Sequence, residues 1–144
     1  PSIYTFSMHG ARNYPAVKPR GDLDVELADG LGDREYLELL ERNLAYAQVR
    51  ARPDAVIYLA GADPYVGDRL GFLSLSKAGL LQRDQMVFDH CRQYALPVAV
   101  TMAGGYAENV ADIVDIHLGT IGCAAELARA PAWYSPPNPY RVFA

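Results

Sequence analysis

The chain has 144 residues, about half of them hydrophobic (51%), enough for one domain with a real core. Its net charge of −4, with acids and bases interspersed, excludes a polyanion binder and argues against direct nucleic-acid contact. No apolar run approaches the ~20 residues that span a bilayer, so no membrane is expected as a partner.

PSIYTF at the start lacks the charged and long apolar regions of a secretory leader. Cys91 and Cys123 are too few and too scattered for a disulfide framework, which points to a reducing, cytoplasmic setting. The chain moves from Pro1 almost directly into a strand-like segment, as an interior fragment would.

In chain order, Ile3 to Ser7 (IYTFS) is β-branched and aromatic and predicts a strand. A loop rich in Gly and Pro follows from Gly10 to about Asp22, then a weakly extended LDVEL. Asp33 is placed to cap a helix with the apolar stripe Leu37, Leu40, Leu44 and Ala47, which Pro53-Asp54 ends. Ala55 to Ala60 (AVIYLA) shows no polar alternation and reads as a strand covered on both faces. Ser76 caps the next predicted helix, with Leu80, Val87, Cys91 and Tyr94 along one side. Pro97 introduces another apolar strand, VAVTM, and a last helix is expected from about Ala107, burying Val110, Ile113, Val114, His117 and Ile121. The tail carries four of the chain's ten prolines and reads as a loosely attached extension, dividing the chain at 1–130 and 131–144.

Strands alternating with helices, with fully apolar strands, predict an α/β fold: a parallel sheet with helices on both faces. In such sheets ligands bind beyond the carboxyl ends of the strands. Asp63 follows one apolar strand there, and Gly104-Gly105-Tyr106 follows the other. A carboxylate is a good ligand for a divalent metal, glycines let backbone approach a ligand closely, and a tyrosine hydroxyl can stabilise a developing oxyanion. Together they suit metal-assisted amide hydrolysis.

Plainer readings stand beside these. Asp63-Pro64 can simply open a turn, Gly104-Gly105 can be a tight connection, and Tyr106 an ordinary half-buried aromatic. His117 on an apolar helix face reads as a core histidine, and His9, after the first strand, as structural. His90 and Cys91 are adjacent on a helix and face different directions, a poor metal pair. Asp22-Leu23-Asp24 has the spacing of a two-metal ureohydrolase, but the reading puts it in a loop.

The segment IYLAGADPYVGDRLGFLSLSKAGLLQRD, followed by a strand ending in AGGY, resembles the zinc-dependent histone deacetylase family, with its arginase/deacetylase fold. ERNLAYAQ and GDRLGFLSLS look closest to the class IV branch and its bacterial relatives, and the resemblance runs from Ile3 to about Ile121. It implies that Asp63 is a zinc ligand and that Tyr106 polarises the acetyl carbonyl. It further implies that Gly104, Gly105, Leu70 and Tyr14 line an acyl-lysine channel. Ser7 and Met8 match positions around a structural monovalent cation such as K+, with His9 beside them.

The family's Asp-x-His motif lies just before the strand with which this chain begins and its His-His pair further upstream, and the sequence holds neither at that place, so the chain looks like the carboxyl-terminal part of a deacetylase domain. The implied cofactor is Zn2+ and the implied substrates are an acetylated lysine, polyamine or small amide. A non-catalytic binding module is the alternative. A sheet edge left unpaired would favour self-association.

Overall fold

A computed structural model describes residues 3–129, so the proline-rich tail and its boundary lie outside the described residues. The first strand, β1 (Phe6–Gly10), starts later than the sequence predicts. Thr5 is instead used to close the loop: its N–H and hydroxyl both donate to the Asp22 carboxylate, at 2.8 and 3.0 Å. That link brings LDVEL alongside as a true strand, β2 (Leu23–Leu27), parallel to β1 from Phe6↔Leu23 to Gly10↔Leu27. Leu23, Val25 and Leu27 alternate with the exposed Asp24 and Glu26, the half-buried pattern of a strand with one wet face. Asp24 therefore lies within β2 rather than in a loop. The connecting loop is tied by Lys18, whose ammonium donates to the carbonyls of Ala11, Asn13 and Pro15 at 2.9–3.1 Å.

Helix α1 (Asp33–Ala51) is capped by Gly32, not Asp33. The Asp33 carboxylate is taken by Ser76, accepting its N–H at 2.8 Å and its hydroxyl at 2.6 Å. A longer-range pair has displaced the local cap. Leu40 is buried as expected, but Tyr36 and Gln48 share that face, while Leu37, Leu44 and Ala47 are only half-buried. The helix stops at Arg52, which adopts a left-handed φ of 46° just before Pro53.

Strand β3 (Val56–Ala60), helix α2 (Lys77–Gln93) and strand β4 (Val98–Met102) form the second parallel pair, in register from Val56↔Val98 to Ala60↔Met102. Ser76 caps α2 through Gly79 N–H at 2.9 Å, and Leu80, Val87 and Cys91 are buried, as the sequence predicts. Burial pushes the Cys91 thiol up to about 11. The core runs from Leu27, Leu31, Tyr36 and Leu40 through Leu73, Leu75 and Leu80 to Leu96 and Ile116. Tyr58 packs edge-on against Phe88 on the covered face of β3. The opposite face is open among the described residues, with Ile57 73% and Leu59 66% exposed.

Helix α3 (Val110–Arg129) starts three residues later than expected and turns a different side inward. Ile116 and Thr120 are buried, whereas Val110, Val114 and Ile121 are exposed. The reason is polar: Thr120 docks on a buried carboxylate of α2, and Lys77 of α2 bridges Asp112 and Asp115 at 2.7 Å each. His117 is half-buried, and its Nδ1 finds no partner among the described residues.

Candidate active site

Beyond β3 the chain turns through Gly61, Ala62 and Asp63, and beyond β4 through Ala103 to Tyr106. Ala62 N–H donates to the Gly104 carbonyl at 2.6 Å, which locks the two strand ends together. Asp63 stands between glycines. A Cβ at Gly61 would come 2.3 Å from its Oδ1, and one at Gly104 would come 3.1 Å from the same atom. A Cβ at Gly71 would fall 2.0 Å from the Asp63 carbonyl oxygen. Any side chain at these positions would intrude on the carboxylate or its backbone, so these glycines are needed for space. A Cβ at Gly105 would come 3.0 Å from Ala62 Cβ and 3.3 Å from Ile113 Cγ2.

Burial raises the proton affinity of Asp63, its own N–H lowers it, the charge of Asp68 raises it, and Arg83 lowers it. Arg83 belongs to a buried group behind the strand end that hydrophobic periodicity does not reveal. Its Nη1 donates to the Gly61 carbonyl at 2.7 Å, and its Nε donates to Asp84 Oδ1 at 2.8 Å. Asp84 also accepts from Tyr58 Oη and from Thr120 Oγ1, both at 2.5 Å. Arg83, Asp84 and Thr120 are each at least 96% buried, so the carboxylate is satisfied by protein alone. Desolvation opposes the charge on Arg83, but Tyr58, Asp84 and Tyr36 outweigh it, and the guanidinium stays charged. Burial chiefly, with Asp84, drives the Tyr58 phenol far above its ordinary value, keeping it a donor. The adjacent Arg-Asp pair in LLQRD was the available signal, since two opposite charges on an otherwise apolar helix face need each other when buried.

The remaining loop, Tyr65 to Phe72, is folded over the same strand ends. Leu70 is 55% exposed and Tyr106 55% exposed at its rim. Thus Asp63, Leu70, Gly104, Gly105 and Tyr106 are brought together. Ser7, Met8 and Tyr14 are not part of this cluster. Ser7 and Met8 lie on the β1–β2 pair, where Met8 packs against the core and Ser7 Oγ is 2.8 Å from His9 Nδ1. Tyr14 sits on the loop after β1 and is 89% exposed.

As a metal site, this cluster is incomplete. Asp63 offers a carboxylate between glycines, but the described residues hold no group of three or more His, Cys, Asp or Glu able to bind a metal ion. Catalytic zinc ordinarily takes three protein donors. These residues alone do not fit it.

A carboxylate and a tyrosine at neighbouring carboxyl ends of parallel strands define a strand-end site of the α/β class. Comparison with known proteins gives that class its family. The model of the histone deacetylase domain matches residues 1–121. An uncharacterised protein of Picosynechococcus sp. is 44% identical over 117 residues, 81% of this chain and 39% of its own length. Histone deacetylase 2 of Arabidopsis thaliana is 34% identical over 115 residues, 78% of this chain and 30% of its own. The chain belongs to the histone deacetylase family. It spans between 30% and 39% of the length of these two relatives.

Solved structures agree on the fold. An acetylpolyamine aminohydrolase from Burkholderia pseudomallei superposes with a TM-score of 0.70 at 20% identity, covering 86% of this chain and 38% of that one. A histone deacetylase homologue complexed with SAHA gives 0.68 at 24% identity, covering 87% and 35%. The fold is that of the arginase/deacetylase class, present here in part. Among the described residues no helix is long and apolar enough to cross a membrane.

Proposed function

We propose that the protein is a zinc-dependent deacetylase that hydrolyses the amide of acetyl-lysine or a related acetylated amine. The observation that carries this reading is the junction of the two strand ends, where Asp63 sits in its glycine cradle beside the Gly104–Tyr106 turn. Asp63 would hold the metal together with donors outside these residues. Zinc, when bound, supplies a water that is acidic near neutral pH. Tyr106 would donate its hydroxyl to the acetyl carbonyl oxygen as negative charge gathers there, the point at which a placed donor contributes most. Leu70, Gly104 and Gly105 would border the acyl-lysine stem, with Tyr14 as an aromatic flanking it. Ser7 and Met8 would contribute oxygens to a structural K+ near the zinc.

The open face of Ile57 and Leu59 and the unpaired strand edges support a further part of this reading. Further parts of a deacetylase domain would pack there, and these residues alone would self-associate through the unpaired edge. The acetylated polyamine of one structural neighbour and the histones of the family relatives set the two substrate classes to test first.

The incomplete donor set favours a second reading, a non-catalytic module that keeps the pocket for binding. Zinc-loaded full-length protein, assayed on an acetyl-lysine peptide and on an acetylated polyamine, separates the two. Release of acetate from either supports the deacetylase. Stoichiometric binding of both without acetate release would leave the module.

A further inference from the structure

We propose that Asp68 is a positioning residue for Tyr106, its carboxylate fixing where the phenol stands relative to Asp63. The inference rests on the deacetylase reading above and adds to it the part that orients its proposed hydroxyl donor. The Asp68 side chain joins two loops that are 38 positions apart in sequence. Its Oδ1 accepts Leu70 N–H at 2.8 Å and Gly71 N–H at 2.7 Å, which shapes the loop after β3. Its Oδ2 accepts Tyr106 N–H at 2.5 Å, on the loop after β4. Arg69, the next residue, completes the grip: its backbone N–H and its Nε both donate to the Tyr106 carbonyl, at 3.3 and 3.2 Å. Asp68 also forms an isolated antiparallel bridge with Ala107. Tyr106 is therefore held at both its N–H and its C=O.

Two features make this clamp consequential. Gly104 and Gly105 precede Tyr106, so the approach to it has the freest backbone the chain can supply. The Tyr106 side chain is 55% exposed, so its own packing restrains it only partly. The backbone from which the phenol projects is held by Asp68 and Arg69, which sets the range of positions the phenol can reach. Hydrogen bonds to a charged carboxylate are about twice as strong as neutral ones. Both oxygens accept, so an amide cannot replace the acid: the NH2 of an asparagine would face an N–H on one side or the other.

The test compares full-length wild type, Asp68→Asn, Tyr106→Phe and the double variant. Three readings are taken: kcat and KM on an acetyl-lysine peptide, zinc content, and hydrogen exchange at the Tyr106 amide. Misplacing a catalytic group by about 1 Å can cost on the order of 10²-fold. Asp68→Asn should lower kcat by about 10- to 100-fold with KM within about twofold, unchanged zinc, and faster exchange at the Tyr106 amide. In the Tyr106→Phe background the same change should cost almost nothing more, because its effect passes through the phenol. Asp68→Glu, which keeps the charge but displaces it by a methylene, should show the same pattern more weakly and serves if the asparagine variant does not fold. Undiminished kcat, an equal loss in the Phe background, or unaltered Tyr106 exchange would each overturn the proposal. Wild type that releases no acetate would instead overturn the deacetylase reading, while the exchange measurement would still judge the clamp.

Discussion

Arg83 and Gly61 are joined by a 2.7 Å hydrogen bond, from the guanidinium Nη1 on α2 to the carbonyl just before Asp63. The strand end is thus held from behind by a buried cation as well as by the turn bond from Tyr65 N–H to the Ala62 carbonyl. Arg83 is in turn neutralised by Asp84, which Tyr58 and Thr120 also reach. Removing one partner of such a pair strands the other in the core.

Arg83→Met should therefore cost about 3–5 kcal/mol, because it leaves Asp84 buried and uncompensated. Thr120→Val removes one donor from Asp84 and should cost about 1–3 kcal/mol, loosening α3 from α2. Urea unfolding monitored by circular dichroism gives both values. A near-neutral Arg83→Met would mean that the network contributes nothing to the strand end.

Asp63 makes a pH prediction with a definite sign. Its proton affinity is raised chiefly by burial, so the metal-free folded state holds the proton more tightly than the unfolded chain does. That contribution is fully present below the unfolded carboxylate's pKa and is lost as pH rises through the folded one. At neutral pH the metal-free protein thus carries a buried charge that Asp63→Asn removes. The variant should unfold at higher urea than wild type at pH 7, and the gain should shrink as the pH is lowered into the carboxylate range. A metal-free Asp63→Asn that is no more stable at pH 7 would contradict the burial argument.

The glycine cradle predicts an order of sensitivity. Alanine at Gly61 would meet Asp63 Oδ1 at 2.3 Å, against 3.1 Å for alanine at Gly104, so Gly61→Ala must move the carboxylate and Gly104→Ala need only nudge it. Zinc affinity of the full-length protein should fall about 10- to 100-fold in Gly61→Ala and less in Gly104→Ala. Competition with a chelator of known affinity measures both. Equal affinities in wild type and Gly61→Ala would show that the ion does not use Asp63.

The placement of Asp63 and Tyr106 beyond neighbouring strand ends was legible in the sequence because apolar runs stop just before them: VIYLA at Gly61-Ala62-Asp63 and VAVTM at the glycines before Tyr106. The Ser76 cap was legible for the same local reason. What local pattern could not supply were the partners from afar. Asp33 looked like a cap and is held by Ser76, and Thr5 looked like strand and is held by Asp22. The buried side of α3 was misjudged because Thr120, a polar residue, faces inward to reach Asp84 while Val114 and Ile121 stay out. Hydrophobic periodicity counts apolar residues and has no means of seeing a buried carboxylate that needs a hydroxyl. Asp68 escaped notice likewise: its worth lies in the 38 positions between it and Tyr106.

The most direct test of the central claim is the turnover of full-length Tyr106→Phe on an acetyl-lysine peptide, with zinc content measured on the same sample. The account predicts full zinc occupancy and a kcat lower by about 10²–10³-fold, the loss expected when one donor to a developing oxyanion is removed. A fully zinc-loaded Tyr106→Phe that hydrolyses the peptide at the wild-type rate would contradict it.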